Sequence, residues 1–98
     1  GEDWRGLGAF HSHARAVVAG FEGRPEDASA HFGRAVASAR QLGLVWHESD
    51  ALLSWSQFLA REGESGRARE RLRRAREVLE RVGASSRWVE RLYAPTGA

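Results

Sequence analysis

The second half of this 98-residue chain repeats the first half at a spacing of 40 residues. Five identities recur at that spacing, and they are Gly23 and Gly63, Ala28 and Ala68, Arg34 and Arg74, Ala35 and Ala75, and Gly43 and Gly83. A period of about 20 to 50 residues is typical of repeat proteins, in which each unit buries an apolar face against its neighbours. We therefore expect a single domain over residues 1–98, built from two units at about 4–43 and 44–83.

The apolar residues recur at intervals of three and four, which is the helical period. Glycines at 23, 43, 63 and 83 predict helix ends, because glycine readily adopts the left-handed conformation that follows a helix. The sequence thus predicts helices over about 4–21 and 25–42 and a third from about residue 45 that ends before Gly63. A fourth follows a turn at 64–66, in which Ser65 is the N-cap, and ends before Gly83. A short fifth is predicted at about 86–93.

The predicted links are two to four residues long, and links of that length make consecutive helices antiparallel. The third helix is apolar around much of its circumference, whereas the fourth has one apolar stripe, so we expect the third to be an inner helix and the fourth an outer one. The expected fold class is all-α, with antiparallel helical hairpins stacked as a fragment of an α-α solenoid and about five helices in all.

Composition excludes several kinds of chemistry. The chain has no Cys, so it has neither disulfides nor thiolate metal sites. His11 and His13 lie on different sides of a helix, and His47 has no second His four residues away. We therefore predict that the histidines are surface or packing residues, and we expect no catalytic residue, no metal ligand, no cofactor and no enzymatic activity.

Other features bear on origin and location. No Met occurs in the chain, so we expect it to be part of a larger protein. Lys, Asn and Ile are also absent while Arg is abundant, as in proteins of bacteria with GC-rich genomes. No apolar run approaches the roughly 18–20 residues of a membrane span. We expect a cytoplasmic bacterial protein that does not enter a membrane.

Arginines are concentrated in one segment, since residues 67–91 contain nine Arg and four acidic residues. Such a cluster could bind phosphates, and Arg69, Arg73 and Arg76 are the candidate basic surface. However, spacings of four residues pair Arg73 with Glu77 and other arginines with nearby acids. We therefore favour a solvated outer face, with a nucleic-acid-binding module as the alternative.

The second unit has Leu52, Trp55, Ser56 and Leu59 in its first helix and Ala68, Leu72 and Ala75 in its second, and the first unit repeats the latter as Ala28, Phe32 and Ala35. This pattern resembles a tetratricopeptide (TPR) repeat, which has large, Leu and small residues in its first helix and A-x3-F-x2-A in its second. The long period and phrases such as Leu44-Val45-Trp46-His47-Glu48 resemble the repeat regions of large bacterial ATP-binding transcriptional regulators of the LuxR and MalT type.

This resemblance implies a recognition function, in which the first helices of successive units line a groove. The groove positions that it implies are Asp50, Leu53, Gln57, Ala60 and Arg61. We expect a non-catalytic protein-interaction or ligand-sensing module of a bacterial signalling or transcription-regulatory protein. Its partner would be a protein or peptide, including other domains of the parent chain, and its cut ends favour self-association. A small-molecule pocket between the first and third helices is a further alternative.

Overall fold

The chain forms four α-helices in this computed structural model, which describes residues 4–81 and residue 83. The helices are α1 (Trp4–Phe21), α2 (Pro25–Leu42), α3 (Val45–Arg61) and α4 (Ser65–Arg81). No strand occurs in that part of the chain, so the predicted all-α class is confirmed. The predicted fifth helix at about 86–93 lies outside the described residues.

The helices end at the predicted glycines, and all of these glycines have a left-handed backbone. Gly23, Gly43, Gly63 and Gly83 have φ values of 74°, 72°, 81° and 79°. These positions are 20 residues apart, so the structural repeat of one helix and one turn is half the sequence period. A side chain with a Cβ is disfavoured in this conformation, which explains why glycine recurs there.

The three turns between the helices also share one hydrogen-bond pattern. In each turn the N–H of the residue after the glycine donates to the carbonyl five residues earlier. The bonds run from Arg24 to Ala19 at 2.9 Å, from Leu44 to Ala39 at 2.8 Å and from Glu64 to Leu59 at 2.9 Å. This is the bond that defines the Schellman motif, which satisfies carbonyls left unpaired at a helix end. The turns therefore reverse the chain three times in the same way.

The start of α4 differs from the predicted one. The N–H of Ala68 donates to the Glu64 carbonyl at 2.9 Å. Helix α4 therefore begins at Ser65, and the prediction that Ser65 is the N-cap is wrong, because the Schellman turn is complete at Glu64. Pro25 is the first residue of α2, where its missing N–H leaves no helical hydrogen bond unmade.

Each helix packs beside the one that follows it. Helix α1 packs along α2, α2 along α3 and α3 along α4, and α1 also contacts α3. Helix α3 is thus the central element and buries nine residues, whereas α4 contacts α3 alone among the described helices. Among the described helices, α3 is therefore covered on more sides than α4, in the direction that the sequence predicts.

The core is centred on three aromatic rings from α2 and α3. The rings of Phe32 and Trp55 are nearly parallel, with centroids 6.1 Å apart, and the Phe58 ring lies 5.9 Å from Phe32. The guanidinium carbon of Arg71, on α4, lies 4.3 Å from the centre of the Trp55 ring, where the negative face of the indole attracts a cation. The contacts of Phe32 therefore connect the first hairpin (α1 and α2) to the second (α3 and α4), and the Arg71 contact lies within the second.

The apolar residues are distributed among short stretches rather than in one long run. Within the described part of the chain, no helix combines the length and hydropathy that a membrane span needs. The apolar surface of these helices is instead buried largely against neighbouring helices.

The left-handed turns give a direct test of the fold. We expect Gly43→Ala to lower the free energy of unfolding by about 1–2 kcal/mol, because alanine is strained at positive φ. The matched control is Gly66→Ala in the first turn of α4, where a new Cβ meets nothing within 4 Å. The control should raise stability by up to about 1 kcal/mol through better helix propensity.

Urea denaturation followed by circular dichroism measures both changes. Equal effects of the two substitutions, in either direction, would contradict the assignment of Gly43 to a left-handed helix cap.

Candidate functional site

Helices α1 and α3 lie side by side and run in the same direction. The Phe10 and His47 rings are in contact, tilted by 39° with centroids 4.0 Å apart, and Gly20 lies where an added Cβ would be 3.2 Å from the Phe58 ring. Between these two contacts, His13 hydrogen-bonds to Ser54, which lies 41 positions later. Residue numbers thus rise together along both helices, and the facing residues are separated by close to one 40-residue period.

Polar side chains meet in the middle of this α1–α3 contact. His13 Nε2 lies 2.9 Å from Ser54 Oγ, and His13 Nδ1 lies 3.9 Å from the Asp50 carboxylate. The His47 ring lies 5.5 Å from the His13 ring, centroid to centroid. We call the group formed by His13, His47 and Asp50 the histidine cluster. One nitrogen from each ring and one Asp50 oxygen lie within 4.8 Å of one another.

Burial differs within the histidine cluster. His47 is only 9 % exposed, and its Nε2 atom is buried with no hydrogen-bond partner among the described residues. The Asp50 side chain is 63 % exposed, whereas that of His13 is 14 % exposed. A buried polar atom without a partner normally costs about 1–3 kcal/mol, so the His47 nitrogen is a feature that needs a physical reason.

The environment of His13 favours its neutral form. Desolvation by burial lowers the pKa of His13 below its usual range, and the neighbouring His47 acts in the same direction. The negative charge of Asp50 opposes both effects. Because desolvation is the largest contribution, the neutral imidazole is favoured for His13, with an N–H on one ring nitrogen and a lone pair on the other.

An open cleft of about 760 Å³ adjoins the histidine cluster. Phe10 of α1 forms one side of it, and the start of α3 with the preceding turn forms the other, through the run from Gly43 to His47 and through Asp50. Phe10 and Trp46 are about half exposed there. The cleft therefore offers apolar surface next to a carboxylate and an imidazole.

A second, smaller cleft of about 180 Å³ lies farther along the same two helices. Gln57 and Arg61 line it from α3, and Val17 and Phe21 line it from α1. The predicted groove residues Asp50, Gln57 and Arg61 therefore all lie beside α1 in the structure. Leu53 is half-buried and Ala60 is exposed, and neither of them lines these two clefts.

The predicted basic surface lies on α4, away from α1. Arg69, Arg73 and Arg76 are all exposed. Arg73 forms the expected ion pair with Glu77, with nitrogen and oxygen 2.5 Å apart. Arg71 pairs with Glu70 at 3.1 Å while its guanidinium covers Trp55. Part of the positive charge of this helix is thus already paired within the protein.

No local pattern in the sequence indicates that His13 and His47 lie together. The two residues are 34 positions apart; His47 has Asp50 three residues later, but His13 has no His, Asp or Glu at the helical spacings of three and four. The signal that could have found them is the repeat itself. With α1 beside α3 at an offset close to 40, a residue near position 13 must face residues near positions 47 to 54.

Comparison with known proteins assigns neither a family nor a function to this chain. No protein-family model, no curated protein and no solved structure matches this chain.

The contact between His13 and Ser54 can be measured by a double-mutant cycle. We expect His13→Ala and Ser54→Ala to show a coupling energy of about 0.5–1.5 kcal/mol, the usual value of a hydrogen bond in a folded protein. The control cycle pairs His11→Ala with Ser54→Ala and should give a coupling within about 0.5 kcal/mol of zero, because His11 is exposed on α1.

Urea denaturation of the wild type, the single variants and the double variants supplies these energies. A His13–Ser54 coupling no larger than the control coupling would contradict the side-by-side placement of α1 and α3.

Proposed function

We propose that this chain is a helical-repeat interaction module of tetratricopeptide type, and that its α1–α3 face binds a segment of a partner protein. The observation that supports this most strongly is the parallel contact of α1 with α3 at an offset of about one repeat. A stack of helical hairpins places the first helices of successive units beside each other in this way, and the exposed side of such a row forms a recognition surface.

The surface chemistry of this face suits a peptide with both apolar and charged residues. Phe10, Trp46, Val17 and Phe21 are large apolar side chains with substantial exposure. Asp50 lies near the start of α3 and Arg61 at its end, so a charged group is available in each cleft. Exposed apolar surface bordered by charges is typical of protein-binding sites.

We further propose that the parent protein is a bacterial signalling or transcription-regulatory protein, in which this module recognises a partner or another domain of the same chain. This rests on the resemblance of the sequence to repeat regions of the LuxR and MalT type. In that setting the module contributes binding and no bond-making chemistry.

A nucleic-acid-binding module is the alternative, and it is less well supported. It would use Arg69, Arg73 and Arg76, but Arg73 is held by Glu77. Binding to phosphates through that helix would have to break this ion pair and would weaken steeply with salt.

A peptide library displayed on phage can test the proposed face. We expect peptides selected on the immobilised protein to bind the Asp50→Lys/Arg61→Glu variant at least about tenfold more weakly than the wild type, which corresponds to about 1.4 kcal/mol. The matched control is Arg69→Glu/Arg76→Glu on α4, which should leave peptide affinity unchanged.

Fluorescence polarisation with the selected peptides and with a labelled DNA duplex compares the two surfaces. Peptide binding that depends on the α4 arginines but not on Asp50 and Arg61 would contradict the proposal. Tight, salt-sensitive DNA binding that is lost in the α4 variant would favour the alternative instead.

We also propose weak self-association through α1. Phe21 is 82 % exposed at the end of that helix, and Val18 is 51 % exposed. We expect the average mass from light scattering to rise with protein concentration, and to rise less in a Phe21→Ser variant. A monomeric mass over the whole concentration range would contradict this.

A further inference from the structure

We propose that His13, His47 and Asp50 form a binding site for a divalent transition-metal ion, best suited to Zn²⁺, which joins α1 to α3. These residues supply two imidazole nitrogens and one carboxylate oxygen, and their donor atoms already lie within 4.8 Å of one another. Two imidazoles and a carboxylate are a ligand set that proteins use for zinc and for related first-row metals.

The distance between His13 and Asp50 requires only a small side-chain movement. Around a tetrahedral Zn²⁺ ion with bonds of about 2.0–2.1 Å, neighbouring ligand atoms are about 3.3–3.4 Å apart. His13 Nδ1 and the Asp50 oxygen are 3.9 Å apart. Because the Asp50 side chain is 63 % exposed, it is free to rotate toward the two rings without disturbing the core.

Ser54 completes the surroundings that a histidine ligand normally has. A ligating histidine usually donates its second ring N–H to a nearby acceptor, which fixes the orientation of the ring. His13 Nε2 lies 2.9 Å from Ser54 Oγ, so an N–H on that nitrogen leaves the Nδ1 lone pair facing Asp50. Ser54 and Asp50 are four residues apart on α3 and thus lie on one side of that helix.

The buried His47 nitrogen is a second, independent observation. His47 Nε2 has no hydrogen-bond partner among the described residues, although His47 is more than nine-tenths buried. A ring placed between Phe10 and His13 with an unsatisfied nitrogen is costly unless it serves some interaction. Metal ligation would supply that interaction.

The adjoining cleft gives the metal site access to the surface. Three protein ligands leave one position of a tetrahedral ion open, as in zinc sites that bind water or an outside ligand. His47 and Asp50 both line the 760 Å³ cleft, so an exogenous donor could reach that position. The proposed metal would therefore lie at the entrance of the cleft and connect the two hairpins at the same time.

Zinc titration of the metal-free 98-residue protein tests this proposal. Isothermal titration calorimetry should show about one equivalent of Zn²⁺ bound, with a dissociation constant on the order of 1 μM or lower. Mg²⁺ should not bind, because it prefers oxygen donors. Bound Zn²⁺ should also raise the melting temperature, since it binds the folded state.

Variants identify the ligands. His47→Asn and Asp50→Asn should abolish the tight binding, and Ser54→Ala should weaken it by about tenfold or more. The matched controls are His11→Asn and His31→Asn, which remove two histidines outside the cluster and should leave zinc affinity unchanged.

A nuclear magnetic resonance experiment decides the outcome even if a histidine variant fails to fold. In the wild-type protein, Zn²⁺ should shift the ring nitrogens of His13 and His47 and leave those of His11 and His31 in place. Absence of binding, binding at millimolar Zn²⁺ only, binding that persists in Asp50→Asn, or shifts confined to His11 and His31 would each overturn the proposal.

Discussion

The fold depends on one turn, used three times. A glycine with positive φ follows each of the four described helices, and after α1, α2 and α3 the next N–H donates to the carbonyl five residues back. Because these glycines recur every 20 residues, the helices are all 17 or 18 residues long. When helices of nearly equal length are joined by short turns with one hydrogen-bond pattern, consecutive helices become antiparallel neighbours. The local backbone geometry therefore determines which helices become neighbours.

The packing of α1 against α3 follows from those turns. Two reversals return the chain to its starting direction, so α3 runs parallel to α1 and contacts it at an offset close to one sequence period. Small residues make this approach possible, since Gly20 leaves room for the Phe58 ring. The aromatic core around Phe32 then holds the two hairpins together. The same offset places His13 opposite His47 and Asp50.

Much of this architecture could be predicted from the sequence. Helix bounds, the glycine ends and the inner position of α3 depend on local patterns and on amphipathicity, which one sequence displays directly. The prediction that Ser65 is the N-cap of α4 is wrong because the preceding Schellman turn ends at Glu64, so the helix already includes Ser65. Local spacing displays only the His47–Asp50 pair of the histidine cluster, because His13 lies on α1 and the whole of α2 separates α1 from α3 in the sequence. Of the groove residues, Leu53 shares the helix face of Asp50 and Gln57 by spacing, but it is half-buried and lines neither cleft.

The side-by-side placement of α1 and α3 is the central claim, because the clefts, the histidine cluster and the proposed binding face all depend on it. Nuclear Overhauser contacts between aromatic side chains measure it most directly. We predict cross-peaks between the ring protons of Phe10 and His47, whose centroids are 4.0 Å apart, and between those of His13 and Phe32, at 5.9 Å. A folded helical protein that shows the His13–Phe32 contact but none between Phe10 and His47 would contradict it.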